Sequence, residues 1–245
     1  MKKLTFKNAI NLALKDAMKN DKKVLCMGLG VPDPKGIFGT TLDLQDLFGK
    51  ERVFDIPTSE NALTGICVGL AINGYKPILN HQRLDFALLS LDQIINNAAK
   101  IHYMFGGQLS CPIVIRMIVG RGWGQGPQHS KPLYSMLTGI PGLKVVMPTT
   151  PYDVKGLIIS SVLSNDPVLF IEHRSLYNLK EELPAENYSI NLNHERLRKK
   201  GDKLTIICIG DASLSVLNVV ESNKNLSGKI ELIDLISLNP LSLKK

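Results

Sequence analysis

The sequence has no apolar run long enough to cross a bilayer. Its start, Met1-Lys2-Lys3-Leu4-Thr5, leads into an amphipathic pattern rather than a continuous apolar stretch with a small-residue cleavage site. Neither a membrane span nor a secretion leader is expected, and the expected compartment is the cytoplasm. Cysteine is scarce: Cys26, Cys67, Cys111 and Cys208 lie far apart and form no Cys-x-x-Cys pair. Zinc-finger spacing is therefore absent, and all four read as buried, reduced structural thiols. Aromatics make up only 6% of the 245 residues, with a single Trp. The basic excess, 29 Lys+Arg against 22 Asp+Glu, is scattered apart from Arg196, Arg198, Lys199 and Lys200, and no aromatic-basic alternation accompanies it. That pattern reads as solvated surface rather than a nucleic-acid site, while the charge of +7 favours anionic partners in general.

What is present is a globular composition, 44% hydrophobic and 21% charged, in alternating patterns. Phe6, Ala9, Ile10, Ala13, Leu14, Ala17 and Met18 recur at three- and four-residue steps behind Thr5. This spacing predicts an amphipathic helix capped by Thr5. Short apolar runs at 24–27, 52–56, 76–80, 112–119, 143–147 and 168–172 predict strands. Helical patterns at 42–48, 60–73, 86–105 and 152–163 fall between them. The alternation predicts an α/β fold, an open, mainly parallel sheet with helices on both faces. From 178 to 203 the apolar periodicity fails. The expected organisation is a domain over 1–177, a linker over 178–203, and strand, helix, strand over 204–245, a partial C-terminal α/β domain.

Ligands of open parallel sheets bind beyond the carboxyl ends of the strands, which singles out the loops at 56–60, 80–86 and 120–130. Glu60 follows a strand and opens an apolar helix, whose N-terminal dipole stabilises a carboxylate. Taken alone, it would serve helix capping equally well. Gly28-Leu29-Gly30 hints at a dinucleotide loop, but the third glycine and the immediate helix are missing, and Pro32 and Pro34 interrupt.

Longer segments carry more information. They are Arg52-Val53-Phe54-Asp55-Ile56-Pro57-Thr58-Ser59-Glu60; Gly65-x-x-x-Gly69-Leu70-Ala71 with Gly74-x-x-Pro77; Asp92-Gln93-Ile94 with Asn97-x-Ala99-Lys100; Tyr103-Met104-x-Gly106-Gly107; Gln128-His129-Ser130; Ile140-Pro141-Gly142-Leu143-Lys144-Val145-Val146-x-Pro148; and Asp153-x-Lys155-Gly156-Leu157. In this order and near this spacing they resemble the β subunits of thiamine-diphosphate-dependent 2-oxoacid dehydrogenases. The resemblance runs from Leu4 to about Tyr177 and, more thinly, through Ile233-Asp234-Leu235 and Asn239-Pro240-Leu241. It implies the thiamine-diphosphate-binding fold, with a pyrimidine-binding, transketolase-like domain over 1–177 and an incomplete transketolase C-terminal-like domain over 204–245. The implied activity is oxidative decarboxylation of a 2-oxoacid with acyl transfer to a lipoyl acceptor. Thiamine diphosphate would lie at a subunit interface, its diphosphate and Mg²⁺ held by a partner α chain. The family's metal motif, Gly-Asp-Gly followed by Asn, is indeed absent here; Gly210-Asp211-Ala212 is the nearest match, in the wrong domain. A heterotetramer working with a lipoyl-bearing E2 is the implied assembly.

The resemblance also assigns residues. Glu60 is expected at N1′ of the aminopyrimidine, where a carboxylate favours the imino tautomer that takes the proton from thiazolium C2. Thr58 and Phe86 are expected against the cofactor. His129 is expected as the active-site histidine, the imidazole being the side chain that exchanges protons most readily near neutral pH. Ile113, Ser161, Val162, Ser164 and Asp166 match a K⁺ site made largely of backbone carbonyls. Two stretches depart from the family: Asn80-His81-Gln82-Arg83-Leu84-Asp85-Phe86 replaces Glu-Phe and apolar residues, and Met117–Gly124 lacks Gly-Pro-x-Gly. His81, Arg83 and Arg121 are therefore expected to make the pocket more polar and cationic, suited to an anionic or hydroxylated substrate. Pairing of Arg83 with Asp85 or with the partner chain is the competing expectation. Two other functional readings stay open, a split transketolase-like subunit transferring a ketol or aldehyde unit and a non-catalytic, shortened subunit.

Overall fold

The computed structural model describes residues 1–242. Its strands in chain order are β1 (Lys2–Thr5), β2 (Val24–Gly28), β3 (Val53–Phe54), β4 (Lys76–His81), β5 (Val114–Val119), β6 (Lys144–Val146), β7 (Val168–His173), β8 (Lys180–Leu183), β9 (Arg196–Lys199), β10 (Leu204–Cys208), β11 (Ile230–Asp234) and β12 (Ser237–Asn239). Seven of them form the central sheet, in the order β12-β6-β7-β5-β4-β2-β3. All neighbours are parallel except β12, which runs antiparallel to β6.

A parallel sheet covered on both faces needs apolar side chains in both directions, so its strands read as continuous apolar runs. Ile78, Val114 and Phe170 point into one core with the helices Phe6–Asn20 and Pro151–Leu163. Their chain neighbours Leu79, Ile115 and Leu169 point into the other, with the helix Glu60–Ile72 and the helical segment that follows β4. This is the expected α/β class. The first helix starts as its sequence dictates, with Thr5 Oγ1 accepting the Asn8 N–H at 3.2 Å. Gly142 sits at φ +94°, and a Cβ there would overlap the carbonyl of Ala99; the Ile-Pro-Gly turn needs glycine for both reasons.

Three features differ from the sequence expectation. The helix expected over 86–105 is a succession of turns: Leu84–Ala87, a 3-10 turn at Leu88–Ser90, a π segment at Gln93–Ala98 and Ile101–Met104. Residues 178–203 contain two strands, β8 pairing with β1 and β9 with β11. Cys208 is half-exposed, unlike the other three cysteines. The sheet β10-β11-β9 and the helix Asp211–Ser222 form the C-terminal unit. It joins the larger unit through Arg196 and Arg198, which bond the buried Asp153; within the unit, Arg198 also bonds Asp234 at 2.7 Å.

Candidate functional site

At the carboxyl end of the parallel sheet, β2 leads into the loop before Leu44, β3 into the helix of Glu60, β4 into Gln82–Phe86, and β5 into the glycine-rich stretch before His129. Glu60 is the first residue of its helix, after Ser59. Thr64, one turn on, donates its hydroxyl to the Glu60 carbonyl at 2.7 Å, and the same oxygen lies 3.4 Å from His81 Nε2. This pins the helix start over the end of β4. The Glu60 carboxylate is half-buried, and among the described residues it has no hydrogen-bond or ion-pair partner. Thr58 lies exposed in the loop two residues earlier.

The loop after β5 folds back onto the loop after β4. Phe86 meets the His129 ring edge to face, centroids 5.4 Å apart. Arg83 is stacked between Trp123 (4.4 Å to the ring centroid) and Phe38 (5.2 Å), and Arg174 lies 4.6 Å from the Phe38 centroid. Arg83 donates from Nη1 to the Gln82 carbonyl at 2.6 Å and from Nη2 to Gln125 Oε1 at 2.9 Å. Burial pushes its guanidinium down from its ordinary value, yet an arginine stays cationic. Arg83, Phe86 and His129 are thus brought together. Arg83 makes no hydrogen bond to Asp85: among the described residues both oxygens of that buried carboxylate lack a partner, as do Arg83 Nε and His129 Nδ1. Four unsatisfied buried atoms on three neighbouring side chains are unusual, because each costs about 1–3 kcal/mol.

The other two expected cations lie elsewhere. His81 is 4% exposed, with Thr64 and Ser90 hydroxyls 3.4 and 3.5 Å from its Nε2. Desolvation pushes its imidazole down to about 4, so it is neutral at pH 7 and adds no positive charge to the pocket. Arg121 is 83% exposed and turns to Asp211, 3.8 Å away. There His173 also approaches Asp211 at 3.4 Å, around a cavity of about 250 Å³.

His81 yields a pH prediction. An unfolded histidine titrates at about 6.5, so between pH 6.5 and 4 the unfolded chain binds the proton that the folded chain refuses. Stability is then full above pH 6.5 and falls as pH drops, by on the order of 2 kcal/mol at about pH 5. His81→Gln should remove this increment from urea unfolding curves compared at about pH 7 and pH 5. An unchanged slope in the variant would place the titration elsewhere.

The expected K⁺ positions lie at the opposite, amino end of the sheet. The Lys144 ammonium already holds Ser164 Oγ at 3.1 Å and Asp166 Oδ2 at 2.8 Å. The Ile113 carbonyl accepts from Val168 N–H and the Ser161 carbonyl from Ser164 N–H. Among the described residues no group of three or more His, Cys, Asp or Glu could hold a metal ion, and no helix is long and apolar enough to cross a membrane.

Sequence reasoning overlooked Phe38, Trp123, Gln125 and Arg174 around Arg83. It also missed the buried set Arg116, Glu172 and Tyr177 beneath the site. A lone Trp in a glycine-rich loop was the one available signal for Trp123.

Comparison with known proteins gives a consistent set of relatives. Residues 2–180 match the family of the transketolase pyrimidine-binding domain. The chain is 38% identical over 244 residues to the pyruvate dehydrogenase E1 component subunit beta of Staphylococcus aureus, spanning 99% of this chain and 75% of that one. Over 242 residues it is also 38% identical to the 2-oxoisovalerate dehydrogenase subunit beta of Bacillus subtilis, covering 98% and 74%. Among solved structures, a split-gene transketolase, an inactive beta4 tetramer, superposes with a TM-score of 0.76 at 16% identity, covering 96% of this chain and 72% of that chain. That last likeness speaks to the fold alone.

Proposed function

The chain belongs to the transketolase pyrimidine-binding family, among the β subunits of 2-oxoacid dehydrogenase E1 components, and from this premise we propose how its residues serve that reaction. It is a β-type subunit of a thiamine-diphosphate-dependent 2-oxoacid dehydrogenase, active only with an α-type partner. The observation that carries the reading is the identity, over nearly the whole chain, with β subunits named for two different oxoacids. The site suits the cofactor's pyrimidine: a carboxylate without a protein partner at a helix start, a phenyl ring, and a histidine nitrogen buried without a bond.

When bound, thiamine diphosphate supplies a carbon nucleophile and an electron sink for decarboxylation. The chain's part is to aim and polarise. Glu60 would accept a hydrogen bond at the ring's N1′, its charge supported by the helix dipole. Phe86 would pack on the pyrimidine and, through its edge contact, orient His129, which would move a proton at the substrate oxygen. Thr58 lines the approach. Arg83, fixed by two aromatic rings, is the one of the three expected cations that lies beside Phe86 and His129, and its potential favours an anionic 2-oxoacid. Mg²⁺ and the diphosphate fall to the partner. K⁺ would be held by the carbonyls of Ile113, Ser161, Val162, Ser164 and Asp166, against the repulsion of the Lys144 ammonium; no step is routed through it. Exposed Ile66, Leu89, Tyr103, Met104 and Phe105 supply apolar surface for assembly with the α chain into a heterotetramer. The acyl group would then pass to a lipoyl-bearing E2. A cytoplasmic setting completes the reading, with a pyrimidine-binding domain followed by a C-terminal unit that takes β9 from the stretch 178–203.

Co-expression with the candidate α chain tests it. The pair should bind thiamine diphosphate, the isolated chain should not, and the pair should turn over 2-oxoacids with ferricyanide as oxidant. Turnover of ketose and aldose donors in place of oxoacids would move the protein to the split transketolase reading. A pair that binds the cofactor and turns over neither would make it a non-catalytic subunit.

A further inference from the structure

Asp85 is unaccounted for by the roles above. It sits on the turn between Arg83 and Phe86, 8% exposed, with both carboxylate oxygens buried and unbonded. Two residues away, Arg83 is held rigidly between Phe38 and Trp123 with its Nε–H buried and equally unbonded. The short turn Pro127–His129 lies against Leu84–Ala87, so the glycine-rich loop after β5 covers these groups and has to shift to admit a ligand. A buried carboxylate needs donors and a buried guanidinium N–H needs an acceptor. A hydroxyl is the smallest group that meets both needs, donating to one and accepting from the other. A cation brought by the partner would satisfy Asp85 but leave Arg83 Nε unbonded, and would add positive charge beside Arg83 and Arg174.

We propose that Asp85, together with Arg83 Nε, is a specificity-determining pair that reads a hydroxyl on the carbon chain of the substrate, so that the preferred substrate class is a hydroxylated 2-oxoacid. The inference rests on the 2-oxoacid dehydrogenase reading. Buried polar groups built for a hydroxyl discriminate strongly against the analogue lacking it, because that analogue leaves them unpaired.

The test uses the α–β complex, with release of CO₂ followed in the presence of ferricyanide. Two pairs of probes differ by one hydroxyl: hydroxypyruvate against pyruvate, and 4-hydroxy-2-oxobutanoate against 2-oxobutanoate. The wild-type complex should favour the hydroxylated member of at least one pair by about tenfold or more in kcat/KM. Asp85→Leu should bring that ratio close to one, chiefly by lowering kcat/KM on the hydroxylated member. Asp85→Asn, equal in size, should lower the ratio in the same direction, and it decides the matter if the leucine variant does not assemble. Equal rates within both pairs, or variants that slow both members alike, would overturn the role of Asp85 while leaving the dehydrogenase reading intact. A complex that turns over 2-oxoisovalerate but none of the four acids overturns the role of Asp85 alone, and one that turns over no 2-oxoacid overturns both.

Discussion

Glu60→Gln, assayed in the α–β complex, is expected to lower kcat by about 10²–10⁴-fold, the usual contribution of a positioned acid–base group. Glutamine keeps the length of the side chain, but its amide is a far weaker acceptor and cannot stabilise positive charge at the ring nitrogen. The fold should scarcely notice. Among the described residues the carboxylate has no partner, so the change removes only its interaction with the helix dipole, about 0.3–1 kcal/mol. Cofactor affinity and thermal midpoint should therefore stay near wild type, and exchange of the thiazolium C2 proton with D₂O, followed by NMR, should slow with kcat. A variant that retained wild-type turnover and exchange would remove Glu60 from the chemistry. A variant that lost activity because it no longer bound the cofactor would make the residue a binding group only.

The position of Glu60 was legible because three independent signals meet there: an apolar run that ends, a polar loop, and an apolar helix that begins on an acidic residue. The central strands were legible for a similar reason, since burial on both faces leaves unbroken apolar runs such as Val24–Gly28. The segment after β4 was not. Apolar residues every three or four positions fit α, 3-10 and π turns alike, and Ala99 N–H bonds the Ile94 carbonyl at 3.0 Å with no trace in the composition. β1 and β8 escaped notice because each is short and half-exposed, and its strand partner lies 175 or more residues away. The substrate side was half legible. Polarity at 81–85 was visible, but where each group comes to lie depends on burial: His81 points under the Glu60 helix, Arg121 turns toward the C-terminal unit, and Arg83 alone stays beside Phe86, caught between rings that sequence spacing does not bring together.

The least legible residue carries the largest expected effect on stability. Arg116 lies mid-strand in an apolar run, where a sequence reading expects only packing, and it is wholly buried with Glu172 on the neighbouring strand. Its Nε and Nη2 donate to the two oxygens of Glu172 at 2.6 and 3.1 Å, Nη1 donates to Asn80 Oδ1 at 2.6 Å, and Nη2 also reaches Thr40 Oγ1 at 3.1 Å. Tyr177 donates its hydroxyl to Glu172 Oε2 at 2.6 Å. Burial works against the guanidinium, but Glu172 outweighs it and holds Arg116 above its ordinary value. The network ties β4, β5, β7 and the loop after β2 together directly beneath the loops of the site. Arg116→Leu leaves the Glu172 carboxylate buried with one phenol for company, and breaking such a pair from one side costs about 3–5 kcal/mol. For a chain of this size that corresponds to a thermal midpoint lower by roughly 10 °C. Glu172→Leu in the same background removes the stranded charge, so the double variant should recover a substantial part of the loss. Calorimetry on wild type, both single variants and the double variant measures the coupling, expected at about 2 kcal/mol or more. Strictly additive losses would mean that the two side chains act through packing alone, and that the site above them is set by the apolar core rather than by this buried pair.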